Sequence, residues 1–78
     1  MTSLTGTVTR SGRPARCYVR LLDRKSEFVG EVRTDSAGRF AFYASPGEWF
    51  VRVVGDGPAS DVKVTLVESQ TTPLTIAL

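Results

Sequence analysis

The chain contains no histidine and no asparagine, which removes the side chain that most often moves protons near neutral pH. Without histidine there is no Ser-His or Cys-His pair and no imidazole metal ligand, so acid–base work would fall to carboxylates and lysines. The carboxylates sit on strand exteriors or in turns, where a solvated charge is their ordinary role. Nothing assembles a nucleophile, a base and an orienting group. The sequence therefore reads as non-catalytic, with no catalytic, cofactor-binding or metal-binding residue and no cofactor implied. A cation at Asp56 or Asp61 would need more oxygen ligands than the glycine-rich Gly55–Ala59 segment offers. Cys17 is the only cysteine, which rules out an internal disulfide. Its place in an alternating apolar series makes it a small core hydrophobe, not a reactive thiol.

The chemistry that remains is contact. Tyr18, Arg20 and Leu22, then Tyr43, then Phe50, Arg52 and Val54 occupy positions opposite the assigned core. Aromatic residues and arginine are enriched where proteins touch one another. On one shared sheet these side chains would form a mixed apolar and cationic patch, large for a monomer surface. They are the candidate protein interface, toward a second copy of the chain or toward a different protein. Arg10, Arg13 and Arg16 around the first turn read as solvated charges, because three arginines without a groove or stacking platform make no nucleic-acid site. Ten basic residues are interspersed with eight acidic ones, so composition calls for no nucleic-acid partner. No apolar run reaches the length of a membrane helix, and Met1-Thr2-Ser3-Leu4 has neither region of an export signal. The expectation is a soluble, cytoplasmic chain with no membrane partner.

A patch of this kind needs strands to position it, and the hydrophobic pattern has a period of two throughout. Leu4, Gly6 and Val8 alternate with threonines, and Gly6 inside that strand suggests a bulge or the close approach of another backbone. Ser11 to Pro14 reads as a turn. Cys17, Val19 and Leu21 form the inward set of a strand from Ala15 to Asp23. In the strand from Glu27 to Thr34, Phe28, Gly30 and Val32 oppose a solvent-facing set of Val29, Glu31 and Arg33. Thr34 to Val53 reads as a hairpin-like unit with Phe40, Phe42, Trp49, Val51 and Val53 inward. Asp35 accepts from amides about two residues on and Gly38 supplies a positive φ, while Pro46-Gly47 suits the centre of a type II turn. Val62, Val64 and Leu66 mark the next strand, and Leu74, Ile76 and Leu78 the inward face of the last. Pro73 confines that last strand to an edge or entry position. Seven short strands, with turn signals about every 8–12 residues, predict one all-β domain over residues 1–78. Its architecture is expected to be a seven-stranded, antiparallel-rich β-sandwich, with a small closed barrel as the alternative.

The spacing of several of these residues resembles a known family. Gly6-x-Val8, Gly12-x-Pro14-Ala15, Val19-x-Leu21, Thr34-Asp35-x-x-Gly38-x-Phe40-x-Phe42 and Pro46-Gly47-x-Trp49-x-Val51-x-Val53 resemble the carboxypeptidase regulatory-like domain over nearly the whole chain. That family more often has tyrosine where this chain has Trp49. The resemblance implies a transthyretin-like, or prealbumin-like, sandwich acting as a non-catalytic module attached to enzymes, receptors or surface proteins. Tyr18–Asp23, Ser26-Glu27-Phe28 and Gly38–Trp49 carry a closer resemblance, to a small stand-alone actinobacterial family of unknown function. That family is associated with sulfur metabolism through neighbouring sulfurtransferase genes, which implies, as an alternative, an accessory role beside a sulfurtransferase. Cys17 falls where the family has a small residue and inherits no sulfur-handling role. Analogy of fold alone adds a small-ligand or carbohydrate-binding module that would use the Gly55–Ala59 loop.

Overall fold

The alternating segments form eight strands in a computed structural model that describes residues 1–54 and 61–78. They are β1 (Ser3–Arg10), β2 (Arg13–Pro14), β3 (Tyr18–Leu22), β4 (Phe28–Arg33), β5 (Arg39–Tyr43), β6 (Gly47–Val54), β7 (Asp61–Leu66) and β8 (Thr71–Ala77). Among the described residues there is no helix. The strands make two sheets packed as a sandwich, the expected class. In the first, β1 is central: β5 pairs with it antiparallel from Ser3↔Tyr43 to Thr7↔Arg39, and β8 pairs with it in parallel from Ser3↔Thr71 to Thr9↔Ala77. The second sheet runs β4-β3-β6-β7 and is antiparallel throughout. The strand beyond the expected seven is β2, two residues long. It forms because Ser11 and Gly12 both take positive φ (52° and 77°), the geometry of a tight hairpin, so Arg13 folds back against Arg10.

Leu4, Val8, Val19, Leu21, Val51 and Leu66 are almost completely sealed between the layers, and Cys17, Phe40, Phe42, Val53, Val64 and Ile76 join the same cluster. Trp49 packs on its margin and donates its indole N–H to the Ser45 carbonyl at 2.9 Å. Phe40 and Phe42 meet edge to face at 6.0 Å. The close approach at Gly6 is made by a side chain, not a backbone: the Phe40 ring lies directly over Gly6, where a Cβ would penetrate it.

Three expectations about strands and turns fail. The Thr34–Val53 stretch is not a hairpin, because β5 pairs with β1 while β6 pairs with β3 and β7 in the other sheet. Pro46-Gly47 is the corner of an arch between layers, with Gly47 at φ 131°, far from the value near +80° of a type II turn. Inward alternation on both strands is satisfied equally by a hairpin in one layer and an arch joining two. Leu78, assigned inward, is exposed, since β8 ends at Ala77 and only its amide is held, by Thr9 O at 2.7 Å.

The same turn closes two connections. In Asp35-Ser36-Ala37-Gly38-Arg39, Asp35 Oδ1 accepts from the amides of Ala37 and Arg39, both at 2.9 Å, and Asp35 O accepts from Gly38 N. In Asp23-Arg24-Lys25-Ser26-Glu27, Asp23 Oδ1 accepts from Lys25 N at 2.8 Å and Glu27 N at 3.0 Å, and Asp23 O accepts from Ser26 N. The position that Gly38 fills at φ 75° is filled by Ser26 at φ 61°. A left-handed backbone costs a residue with a Cβ about 1–2 kcal/mol. Ser26→Gly should therefore raise stability by about 0.5–1 kcal/mol after the added chain entropy of glycine. That is a gain of a few degrees in Tm by calorimetry, and an unchanged or lower Tm would contradict it.

Candidate interaction face

β3 and β6 are direct neighbours in register, so the outward residues assigned to them do share one surface. Tyr18 lies opposite Val54, Arg20 opposite Arg52, and Leu22 opposite Phe50. Tyr43 does not join them. It is on β5 in the other sheet, paired with Ser3 and 73% exposed, because the arch at Pro46 sends β5 and β6 to different layers.

The middle row runs across all four strands as Glu31–Arg20–Arg52–Asp61. Two like charges stand side by side at its centre, and each is neutralised outward. Arg20 Nε donates to Glu31 Oε2 at 2.6 Å. Arg52 donates through Nε and a terminal NH2 to the two oxygens of Asp61, at 2.7 and 2.9 Å, a fork that matches both partners' geometry. Those hydrogen bonds, then the guanidinium charge, hold the Asp61 carboxyl below its ordinary range, and the same bonds push Arg52 up. Both ions therefore stand charged at neutral pH.

The next row is apolar on β4, β3 and β6 and ends on Lys63 of β7. Leu22 was expected among the outward contacts, and it does lie on this face, but only 2% of it is exposed. It belongs to no part of the interlayer cluster; its cross-strand neighbours are Phe28 and Phe50. Phe28 was expected inward. The β3–β4 register shifts between Leu21 and Leu22, so that Leu21 faces Gly30 while Leu22 faces Phe28 and Val29 is the extra residue. One inserted residue turns the strand end over, and Phe28 swings to the outer face, where two aromatic neighbours flank Leu22. Phe28 remains 61% exposed, with the Arg20 guanidinium 5.7 Å from its ring centroid. Arg33 stands similarly over Tyr18 at 6.0 Å. Sequence reasoning missed Phe28, Glu31 and Asp61 as members of this surface. Its available signal was the pair Phe28-Val29, two bulky apolar residues in succession that break strict alternation.

Among the described residues, no three carboxylates or thiols gather closely enough to share a metal ion. The Gly55–Ala59 loop and Asp56, considered for a ligand or a cation, lie outside the described residues.

Fold and face together define an all-β sandwich with a mixed aromatic and ion-paired outer surface on its all-antiparallel sheet. The chain belongs to the family described as Protein of unknown function (DUF1416), whose profile matches residues 1–78. It is similar to an uncharacterized protein of Mycolicibacterium smegmatis, 43% identical over 47 residues that cover 60% of this chain and 52% of that protein. Uncharacterized proteins Rv0814c and Rv3118 of Mycobacterium tuberculosis are each 44% identical over 45 residues, covering 54% of this chain and 45% of theirs. The chain thus spans about half the length of the curated relatives it matches.

Proposed function

We propose that this chain is a non-catalytic sandwich module, of the carboxypeptidase regulatory-like and transthyretin-like kind, that docks a protein partner through the outer face of β3 and β6. The observation that carries this reading is Phe28. A large aromatic ring stands mostly in water beside a fully covered leucine, with a guanidinium already placed over it. Exposed aromatic rings beside arginines are the composition enriched in protein contacts. The arginines of the middle row are paired within the chain, and Arg33 lies over the Tyr18 ring, so the face is not built as a cationic track for a polyanion. The row also reads −, +, +, − from either end, so a second copy stacked on it in alignment sets like charge against like. A different protein, one offering apolar side chains to Phe28 and Phe50, suits the face better than a second copy stacked in alignment. An accessory role in sulfur metabolism would act through the same face, since Cys17, the one thiol, is 7% exposed within the core.

Phe28→Ser combined with Tyr18→Ser tests the reading, because both side chains are largely exposed and their loss leaves the core intact. A partner captured by the native chain, then purified, should bind the double variant about 10- to 100-fold more weakly. Tyr43→Ser, on the other sheet, should bind as the native chain does. Equal affinity for all three would remove this face from consideration, and a dimeric mass by light scattering that the double variant abolishes would reassign the occupant to a second copy.

A further inference from the structure

A strand at the edge of a sheet leaves a row of backbone N–H and C=O groups unpaired. β4 is such an edge, and Thr34 fixes the phase of its ladder by donating its amide to the carbonyl of Cys17. Hydrogen-bonded and non-hydrogen-bonded positions alternate in an antiparallel pair, so Val32 and Gly30 bond inward, to Val19 and Leu21. Glu31 and Arg33 therefore turn their backbone groups away from the sheet, where no other described backbone meets them. The other edges are better closed. β8 contains Pro73, which has no N–H to offer. In β5 the Arg39 amide donates to Asp35 Oδ1, and its carbonyl accepts from Asp35 N. On β7 the Asp61 carboxylate and the Lys63 ammonium are paired back to β6, with Arg52 and Glu48. The charges of β4 keep spare capacity. Glu31 gives Oε2 to Arg20, and its Oε1 accepts from no described residue. Arg33 rests one face on Tyr18 and has no carboxylate within ion-pair distance among the described residues.

We propose that β4 pairs antiparallel with β4 of a second copy, joining the two four-stranded sheets edge to edge. Only outward-bonding positions can face one another across such a seam. Around its centre this allows Glu31 opposite Glu31, Arg33 opposite Arg33, or Glu31 opposite Arg33. The first two set like charges against each other on the two-fold axis. The third puts the axis at Val32 and makes two Glu31–Arg33 pairs, because a two-fold contact repeats each of its members. Glu31 then stands between Arg20 of its own chain and Arg33 of the second copy, with one carboxylate oxygen for each. Charge thus selects one register of the three. The contact is short, so association is weak and concentration-dependent. It leaves the outer faces of β3 and β6 open and sets two of them side by side.

Light scattering of the native chain up to millimolar concentration should show a monomer passing to a dimer. Glu31→Lys and Arg33→Glu each set like charges opposite twice in the dimer, and each should weaken self-association about tenfold or more. Both positions are exposed, so circular dichroism of the variants should match the native chain. Mixed in equal amounts, the two variants should associate with each other, since every cross-strand pair in that heterodimer is again of opposite sign. Phe28→Ser should leave the dimer intact, which separates the edge from the protein-docking face. Hydrogen exchange on the native chain gives a readout free of variants. The Glu31 and Arg33 amides should slow as concentration rises, and the Val32 amide, already bonded to β3, should change less. A native chain that stays monomeric overturns the proposal. A variant mixture that stays monomeric overturns it equally, as does a dimer that Glu31→Lys leaves unchanged.

Discussion

Gly6→Ala is expected to destabilise the domain by about 2–3 kcal/mol, although it adds only one methyl group. A chain of this length commands about 4–12 kcal/mol in total, so the loss would be visible as a large fall in the urea midpoint. The Cβ of residue 6 would fall inside the Phe40 ring, and the neighbouring structure has little freedom to yield. β1 is held on both sides, with Gly6 opposite Phe40 on β5 and opposite Leu74 on β8. The ring is confined by the buried cluster it belongs to. Overpacking of this sort is relieved only by shrinking the intruding partner. In a Phe40→Leu background the same alanine should therefore cost at least about 1 kcal/mol less, a coupling that a double-mutant cycle resolves. Additive effects would mean that the ring swings aside freely, contrary to its confinement in the buried cluster.

The second large effect is expected at Thr34. This residue is buried at the end of β4, and its hydroxyl joins two strand entries. It accepts from Cys17 N at 3.0 Å and donates to Ala15 O at 2.8 Å, while its own amide donates to Cys17 O at 2.9 Å. Thr34→Val keeps the shape and leaves a buried donor and a buried acceptor without their partner. Each such group costs about 1–3 kcal/mol, so a combined loss of about 2–4 kcal/mol is expected. Thr34→Ser keeps the hydroxyl and should cost about 1 kcal/mol for the lost methyl. Hydrogen exchange separates the two causes. The Cys17 amide should exchange faster in the valine variant, beyond what the change in global stability explains, and not in the serine variant. Equal midpoints for valine and serine would show that the hydroxyl contributes nothing.

Both effects bear on what was readable beforehand. Alternation placed Leu4, Val8, Cys17, Val19, Leu21, Phe40, Phe42, Val51 and Val53 inward, and all are buried. The Asp35 turn was equally legible, since Asp and Gly at that spacing have a local geometry that needs no tertiary partner. Thr34 was visible only as a letter in a motif. Its role depends on Ala15 and Cys17, which lie 19 and 17 residues away and are brought near by the β3–β4 pairing.

The outward surface shows the same division more sharply. The period of two assigned Tyr18, Arg20, Phe50, Arg52 and Val54 to the side away from the core, and β3–β6 pairing then set them in rows. Leu22 and Phe28 were misjudged because a single bulge at Val29 reverses which side the end of β4 presents. Tyr43 was misplaced because a strand pattern specifies a face and not a sheet. The sequence by itself determined the class of fold, the inward faces and the chemistry of the turns, since each follows from side-chain polarity and φ preferences within a few residues. Only the tertiary structure decided which strands pair, that β8 joins β1 in parallel, and that Arg20 and Arg52 find Glu31 and Asp61. Those outcomes rest on register and layer, which depend on contacts between segments far apart in the chain and leave no local trace.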